Sequence, residues 1–269
     1  MKQERIYLDP TDERVYLDVY LPDLKRERMP AILVIPGGGY CCVCTDREGE
    51  PIAVEFLSLG YCAFVLNYRV GRDGDVYPKQ LLDASRAILW IREHSAEYSI
   101  DPHRVYATGF SAGGHLCGSL ACAYDDVTDL LGIEKGANRP DGVALGYPVV
   151  TLKAKTHQAS FLHLLHRPSG EFTPEEVAKF SLDARVTPES APMFLWHTAE
   201  DTLVPVDGTL RLANALVDAK VPCALELYPY GPHGCALGNE ITECGNPDFI
   251  QPAVQGWCRR ADRFFKTLK

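Results

Sequence analysis

The chain has 269 residues, 46% of them apolar and 23% charged, with a formal net charge of -9. That length suits one domain, and a fold of this size buries roughly 70–75% of the surface its unfolded chain exposes, so the core needs no metal or disulfide staple. The acidic balance without any local run of Lys and Arg excludes a nucleic-acid partner, and no apolar run is long enough to span a bilayer.

After Met1, residues 2–5 are polar and run into a first strand at 6–8 without the apolar stretch of a signal peptide, which points to the cytoplasm. A second strand is expected at 15–21, where Val15, Leu17, Val19 and Leu21 alternate with Tyr16, Asp18 and Tyr20 as in a half-buried antiparallel strand. Residues 31–35 form a continuous apolar run, a strand covered on both faces. It ends in Pro36-Gly37-Gly38-Gly39-Tyr40, a loop stripped of side chains so that its backbone is available. Helical periodicity over 50–59 stops at Gly60, and a buried strand follows at 61–68. An amphipathic helix is expected over 78–98, with Leu81, Leu82, Ala84, Ala87, Ile88 and Ile91 at three- and four-residue spacings.

Residues 100–104 then turn into a short strand at 105–108, and a helix rich in small residues is expected at 112–123. A strand beginning at 142–145 leads through Gly146-Tyr147-Pro148 to Val150. The irregular stretch 151–192 carries His157, His163 and His166 and reads as a cap of short helices inserted between two strands. A strand at 193–197, a helix at 206–219, a strand at 224–228 and an amphipathic helix at 254–265 complete the chain. Strand–helix alternation after an antiparallel opening pair predicts an α/β fold: one domain over 1–269 with a mostly parallel, doubly wound sheet. Sites in such sheets lie beyond the carboxyl ends of the strands.

One stretch carries chemistry. Gly109-Phe110-Ser111-Ala112-Gly113 is a G-x-S-x-G pentapeptide between a strand and a helix, a spacing that puts Ser111 at the tip of a sharp, strained turn. A serine hydroxyl is a weak nucleophile and needs a base in hydrogen-bond reach, together with a group that holds the base in one tautomer. His233, in the turn Gly231-Pro232-His233-Gly234 after the last strand, is the candidate base, with His197 its nearest competitor. Asp201 directly follows a buried strand and is the candidate orienting acid, ahead of Glu200 and Asp207. The N–H groups of Gly38, Gly39 and Ala112 are the candidate oxyanion hole. Tyr40, Tyr147, Trp196 and His197 are expected to wall the substrate pocket. The ten cysteines fit a reducing compartment, and Cys41-Cys42-Val43-Cys44 has no second pair or histidine at zinc-site spacing, so no metal is expected.

Pro36-Gly37-Gly38-Gly39-Tyr40, Gly109-Phe110-Ser111-Ala112-Gly113-Gly114, Glu200-Asp201-x-x-Val204-Pro205 and Gly231-Pro232-His233-Gly234 together resemble the α/β-hydrolase superfamily. Within it the chain is most similar to small esterases of the hormone-sensitive-lipase-like and acetyl-xylan-esterase-like groups. It departs from the former in having Pro36 before the glycines and Phe110 before the serine, where those enzymes have His and Asp. The resemblance implies an eight-stranded sheet with a short cap and a cofactor-independent serine carboxylesterase. The implied substrate is a small-molecule ester or acetylated oligosaccharide, in particular acetyl groups on sugars or xylo-oligosaccharides. A feruloyl esterase or a serine peptidase of the same fold is the alternative within enzymes, and a catalytically silent binding protein is the alternative outside them. No membrane partner is expected, and a homodimer is left open.

Overall fold

The computed structural model describes residues 2–23 and 26–268; Met1, Leu24, Lys25 and Lys269 lie outside the described residues, and with them the outermost ends of the expected domain. Eight strands, β1 (Lys2–Tyr7), β2 (Tyr16–Leu21), β3 (Met29–Ile35), β4 (Cys62–Asn67), β5 (Ile100–Phe110), β6 (Val143–Gly146), β7 (Met193–Thr198) and β8 (Cys223–Tyr228), form one sheet in the order β1-β2-β4-β3-β5-β6-β7-β8. The pairs β1/β2 and β2/β4 are antiparallel and the remaining five are parallel. The sequence alternation has a direct structural outcome along β3. Leu33 and Ile35 pack with Leu81, Ile88, Leu116 and Leu212 on one face, while Ile32 and Val34 pack with Phe56, Trp257 and Phe265 on the other. Burial on both faces is what a parallel strand flanked by crossover helices requires.

The first face is covered by α3 (Lys79–Glu93), α4 (Ser111–Cys122) and α9 (Asp207–Asp218), after the short α1 (Thr45–Glu48). The second is covered by α2 (Glu50–Ser58) and α10 (Trp257–Phe265). A four-residue α5 (Thr128–Leu131) follows α4, and three short helices, α6 (Gln158–Leu164), α7 (Pro174–Phe180) and α8 (Leu182–Arg185), lie between β6 and β7. In α7 the Thr173 hydroxyl accepts from Glu176 N–H and the Glu176 carboxylate accepts from Thr173 N–H, a reciprocal cap that lets so short a helix start cleanly. No helix among the described residues is long and apolar enough to cross a membrane.

Several boundaries differ from the sequence reading. The long helix stops at Glu93, not 98: the His94 ring stacks on Trp90 at 4.1 Å, and Ser99 adopts φ 56° to reverse the chain into β5. β5 begins at Ile100, because Met29 and Ile100 already pair; the register then shifts before Ala31 meets Val105. β6 ends at Gly146, since Tyr147 (φ 36°) turns the chain out of the sheet. The last helix starts at Trp257 after Gly256 (φ 76°), three residues later than the apolar pattern suggests.

Candidate active site

β5 ends at Phe110 and α4 begins at Ser111, which sits at φ 53°, a left-handed conformation that side chains rarely adopt. Two flanking glycines make that turn sterically possible. A Cβ on Gly109 would lie 2.4 Å from the Gly113 carbonyl oxygen, and one on Gly113 would lie 2.2 Å from the Pro36 carbonyl oxygen. The tight strand-to-helix turn therefore excludes any larger residue at either place.

Ser111, His233 and Asp201 converge. The Ser111 Oγ lies 2.8 Å from His233 Nε2, and His233 Nδ1 lies 2.6 Å from Asp201 Oδ2. Asp201 is buried at the end of β7, and its other oxygen accepts from the N–H groups of Leu203 and Val204 at 3.0 and 2.8 Å. Burial alone would raise the Asp201 carboxyl. Hydrogen bonds from His197 and His233, the charge of His233 and the Val204 amide outweigh it and hold the group far below the usual carboxylate range. An ionised Asp201 fixes the proton of His233 on Nδ1 and leaves Nε2 as the acceptor facing Ser111. Of the acids weighed against it, Glu200 is exposed and accepts from Gly231 N–H at 3.2 Å, holding the turn that leads to His233; Asp207 is exposed at the start of α9.

The glycine loop after β3 is held peptide by peptide. Pro36 C=O accepts from Tyr68 O–H at 2.8 Å, and Gly37 N–H donates to Glu48 Oε2 at 2.7 Å. Gly37 C=O accepts from Cys44 N–H, Gly38 C=O from the N–H groups of Cys41 and Cys42, and Gly39 C=O from His163 Nδ1–H at 2.8 Å. A trans peptide points its N–H opposite its C=O, so tying down the Gly37 and Gly38 carbonyls sets the aim of the Gly38 and Gly39 amides. Ser111 C=O likewise accepts from Val149 N–H at 2.9 Å, which orients the Ala112 amide. Gly38 (φ 124°) and Gly39 (φ 63°) adopt backbone conformations that this route demands and that glycine supplies without strain.

The four residues expected in the pocket wall stand elsewhere. Tyr40, Tyr147, Trp196 and His197 are all exposed by 1% or less, so none presents a surface to a cleft. Tyr40 (φ 57°) turns inward, and its hydroxyl meets His115 Nδ1 at 2.8 Å. Trp196 packs between Tyr147 and Trp257 in the core. His197 backs Asp201: its Nε2–H is shared between Asp201 Oδ2 at 3.2 Å and Val204 C=O at 2.9 Å, while Nδ1 accepts from Thr209 O–H. Tyr147 sets the back of the His233 ring, edge-on at 4.9 Å between centroids.

Two further neighbours of the site belong to none of the sequence motifs. His157 is half-buried, hydrogen-bonds to Ser160 Oγ at 2.9 Å and comes within 3.8 Å of where a Gly39 Cβ would stand. Burial, with the charges of His233 and His163, pushes its imidazole below the ordinary range. Its position three residues before Ser160 at the start of α6 was the available signal. Glu48 is the other, a buried carboxylate beneath the glycine loop.

A family model described as BD-FAE matches residues 17–216. Endo-1,4-beta-xylanase B of Butyrivibrio fibrisolvens is 42% identical over 221 residues, covering 81% of this chain and 34% of that protein. Acetylxylan esterase of Xylanibacter ruminicola is 27% identical over 230 residues, covering 84% of this chain and 45% of that protein. The chain thus spans less than half the length of either curated relative. The crystal structure of an acetyl ester-xyloside bifunctional hydrolase from Caldicellulosiruptor lactoaceticus superimposes with a TM-score of 0.81 at 33% identity, over 98% of this chain and 96% of that one.

Proposed function

The chain belongs to the BD-FAE family of the α/β-hydrolase fold, and from that premise we propose that it is a carboxylic ester hydrolase that removes short acyl groups, acetyl foremost, from sugars or xylo-oligosaccharides. The observation that carries the reading is the unbroken row from Ser111 Oγ through His233 to Asp201, at 2.8 and 2.6 Å. Ser111 Oγ attacks the ester carbonyl as His233 Nε2 takes its proton. The negative charge that develops on the former carbonyl oxygen falls to the N–H groups of Gly38, Gly39 and Ala112, whose aim is already set. Collapse of that intermediate expels the alcohol, which takes the proton from His233 and leaves Ser111 acylated. Water then repeats the sequence, giving up its proton to His233 and releasing the acid and the free serine.

The carbohydrate assignment draws on the names of two relatives, an acetylxylan esterase and an acetyl ester-xyloside hydrolase. A short acyl group agrees with a cap, residues 151–192, that has only helices of seven residues or fewer and no long apolar helix to shelter a lipid chain. Ten unpaired cysteines suit the reducing conditions of the cytoplasm. The test is hydrolysis of p-nitrophenyl acetate by the chain and by Ser111→Ala; equal rates would refute nucleophilic attack by Ser111. Acyl-length, feruloyl-ester and acetylated xylo-oligosaccharide panels then address the substrate. Activity should fall steeply beyond butyrate, and a preference for octanoate or for feruloyl esters would overturn the acetyl assignment.

A further inference from the structure

Glu48 is a carboxylate buried to 1% exposure on the four-residue helix α1, on a chain whose other acids lie mostly at the surface or in ion pairs. Taking such a group out of water is costly unless its oxygens are hydrogen-bonded. Both are: Oε2 accepts from Gly37 N–H at 2.7 Å, and Oε1 accepts from Tyr147 O–H at 2.8 Å. The direction of the second bond follows from its surroundings. Tyr147 Oη already accepts from Ala236 N–H at 3.2 Å, so its own proton is free to go to Glu48. Gly37 N–H can only donate. Burial raises the Glu48 carboxyl above its ordinary range, and the Arg47 guanidinium 3.8 Å away, the Tyr147 hydroxyl, the Gly37 amide and the charge of His233 oppose that shift. Two donors converging on the carboxyl suit its ionised form.

These contacts join three separate parts of the candidate site. Gly37 begins the loop whose next two amides face the proposed oxyanion position. The Tyr147 ring lies edge-on against the His233 ring, and Ala236 belongs to the same turn as His233. Arg47, next to Glu48, lies 3.3 Å from where a Gly234 Cβ would be, so the same short helix also flanks the histidine turn. We propose that Glu48 is a positioning residue that fixes the oxyanion loop and the seat of His233 together, and that its negative charge supports the imidazolium formed during acyl transfer; the proposal rests on the esterase reading above. The groups around His233 are Asp201 after β7, Ser111 on α4, Tyr147 after β6, His157 before α6, and Glu48 on α1 with the Arg47 guanidinium beside it, which partly offsets the Glu48 charge at the histidine. Asp201 and Glu48 are the carboxylates among them, and only Asp201 touches the ring, so the effect of Glu48 on the histidine is through space.

The experiment uses the full chain with p-nitrophenyl acetate, normalised by active-site titration with diethyl p-nitrophenyl phosphate, so that kcat refers to competent serines only. Glu48→Gln keeps the volume but turns an amide N–H₂ toward one of the two donors and removes the charge. The expected result is a loss of roughly ten- to hundredfold in kcat with KM within about threefold, since the loop acts in the transition state and not on ground-state binding. The acid limb of kcat/KM moves to lower pH, because an imidazolium without its second anion gives up its proton more readily. Glu48→Asp keeps the charge and shortens the reach, so kcat falls while the acid limb stays in place. Tyr147→Phe, which severs only the hydroxyl link, also leaves the acid limb in place and lowers kcat by less than Glu48→Gln. Wild-type kcat per titrated site in Glu48→Gln, an unmoved acid limb in that variant, or a loss confined to KM or to the titratable fraction would overturn the proposal. Hydrolysis that survives Ser111→Ala would instead refute the underlying esterase reading.

Discussion

Asp201→Asn isolates what the carboxylate does that an isosteric amide cannot. One oxygen of Asp201 takes the N–H groups of Leu203 and Val204, and the other takes the two imidazoles, His233 Nδ1–H at 2.6 Å and His197 Nε2–H at 3.2 Å. An asparagine has one acceptor, and the two backbone donors, which cannot rotate away, claim it. Its N–H₂ must then face both rings. His233 answers by accepting at Nδ1 and carrying its proton on Nε2, which points an N–H at Ser111 where a lone pair is needed. His197 cannot answer in the same way, because its Nε2–H is also held by Val204 C=O at 2.9 Å. A histidine locked in the wrong tautomer costs about 10⁴ in kcat, or about 5.5 kcal/mol of barrier at 1.36 kcal/mol per decade. The clash at His197 adds a loss of stability of about 1–3 kcal/mol, visible as a lowered melting temperature. The assay is p-nitrophenyl acetate hydrolysis from pH 6 to 9, alongside thermal melts. A kcat within tenfold of the unmodified chain, with the protein still folded, would show that Asp201 does not set the tautomer of His233.

Burial pushes His115 down to about 4, and both its nitrogens are engaged, Nδ1 by Tyr40 O–H and Nε2–H by Phe180 C=O. Its folded value lies below the unfolded one of about 6.5, so the unfolded chain binds the extra proton, and stability is full above pH 6.5 and falls as pH drops toward 4, by about 3 kcal/mol. Urea unfolding at pH 7.5 and pH 4.5 should show that fall, and His115→Gln, less stable at neutral pH, should show a smaller one; an equal fall in both would assign the acid sensitivity elsewhere. Gly113→Ala puts a Cβ 2.2 Å from the Pro36 carbonyl oxygen, forcing α4 away from β3. It should cost about 3 kcal/mol of stability or more and lower kcat, and a melting temperature unchanged from that of the parent would refute the steric argument. His163→Ala frees the Gly39 carbonyl and should reduce kcat severalfold at unchanged KM, whereas a change in KM alone would mean that His163 contacts substrate.

Ser111, Asp201 and His233 were legible because each follows the carboxyl end of a strand, and strand ends are read from apolar runs that stop abruptly at glycine or polar residues. The order of the strands in the sheet was less so; it follows from which crossovers pack, and local periodicity does not record that. Tyr40 and Trp196 were expected beside substrate on the strength of residue type and closeness to a motif. Their direction depends on features the sequence does not display, a left-handed φ at Tyr40 and the face of β7 on which Trp196 falls. His197 reads from the sequence as a rival base or a pocket wall; its partnership with Asp201 comes from a chain that folds back so that residue 204 reaches the same ring. Glu48 gave no signal. An acid between a cysteine-rich loop and a proline-started helix reads as solvated surface until the neighbours that desolvate it are known.

The row of anchored carbonyls from Pro36 to Gly39 has a consequence for turnover. Dipoles that must swing into place as charge appears make each reaction event bear the work of reorienting them, whereas here that work is completed once, as the chain folds. Under the proposed mechanism, an ester arriving at this loop meets a receptor already in its final posture, so little motion of the backbone need accompany each catalytic cycle.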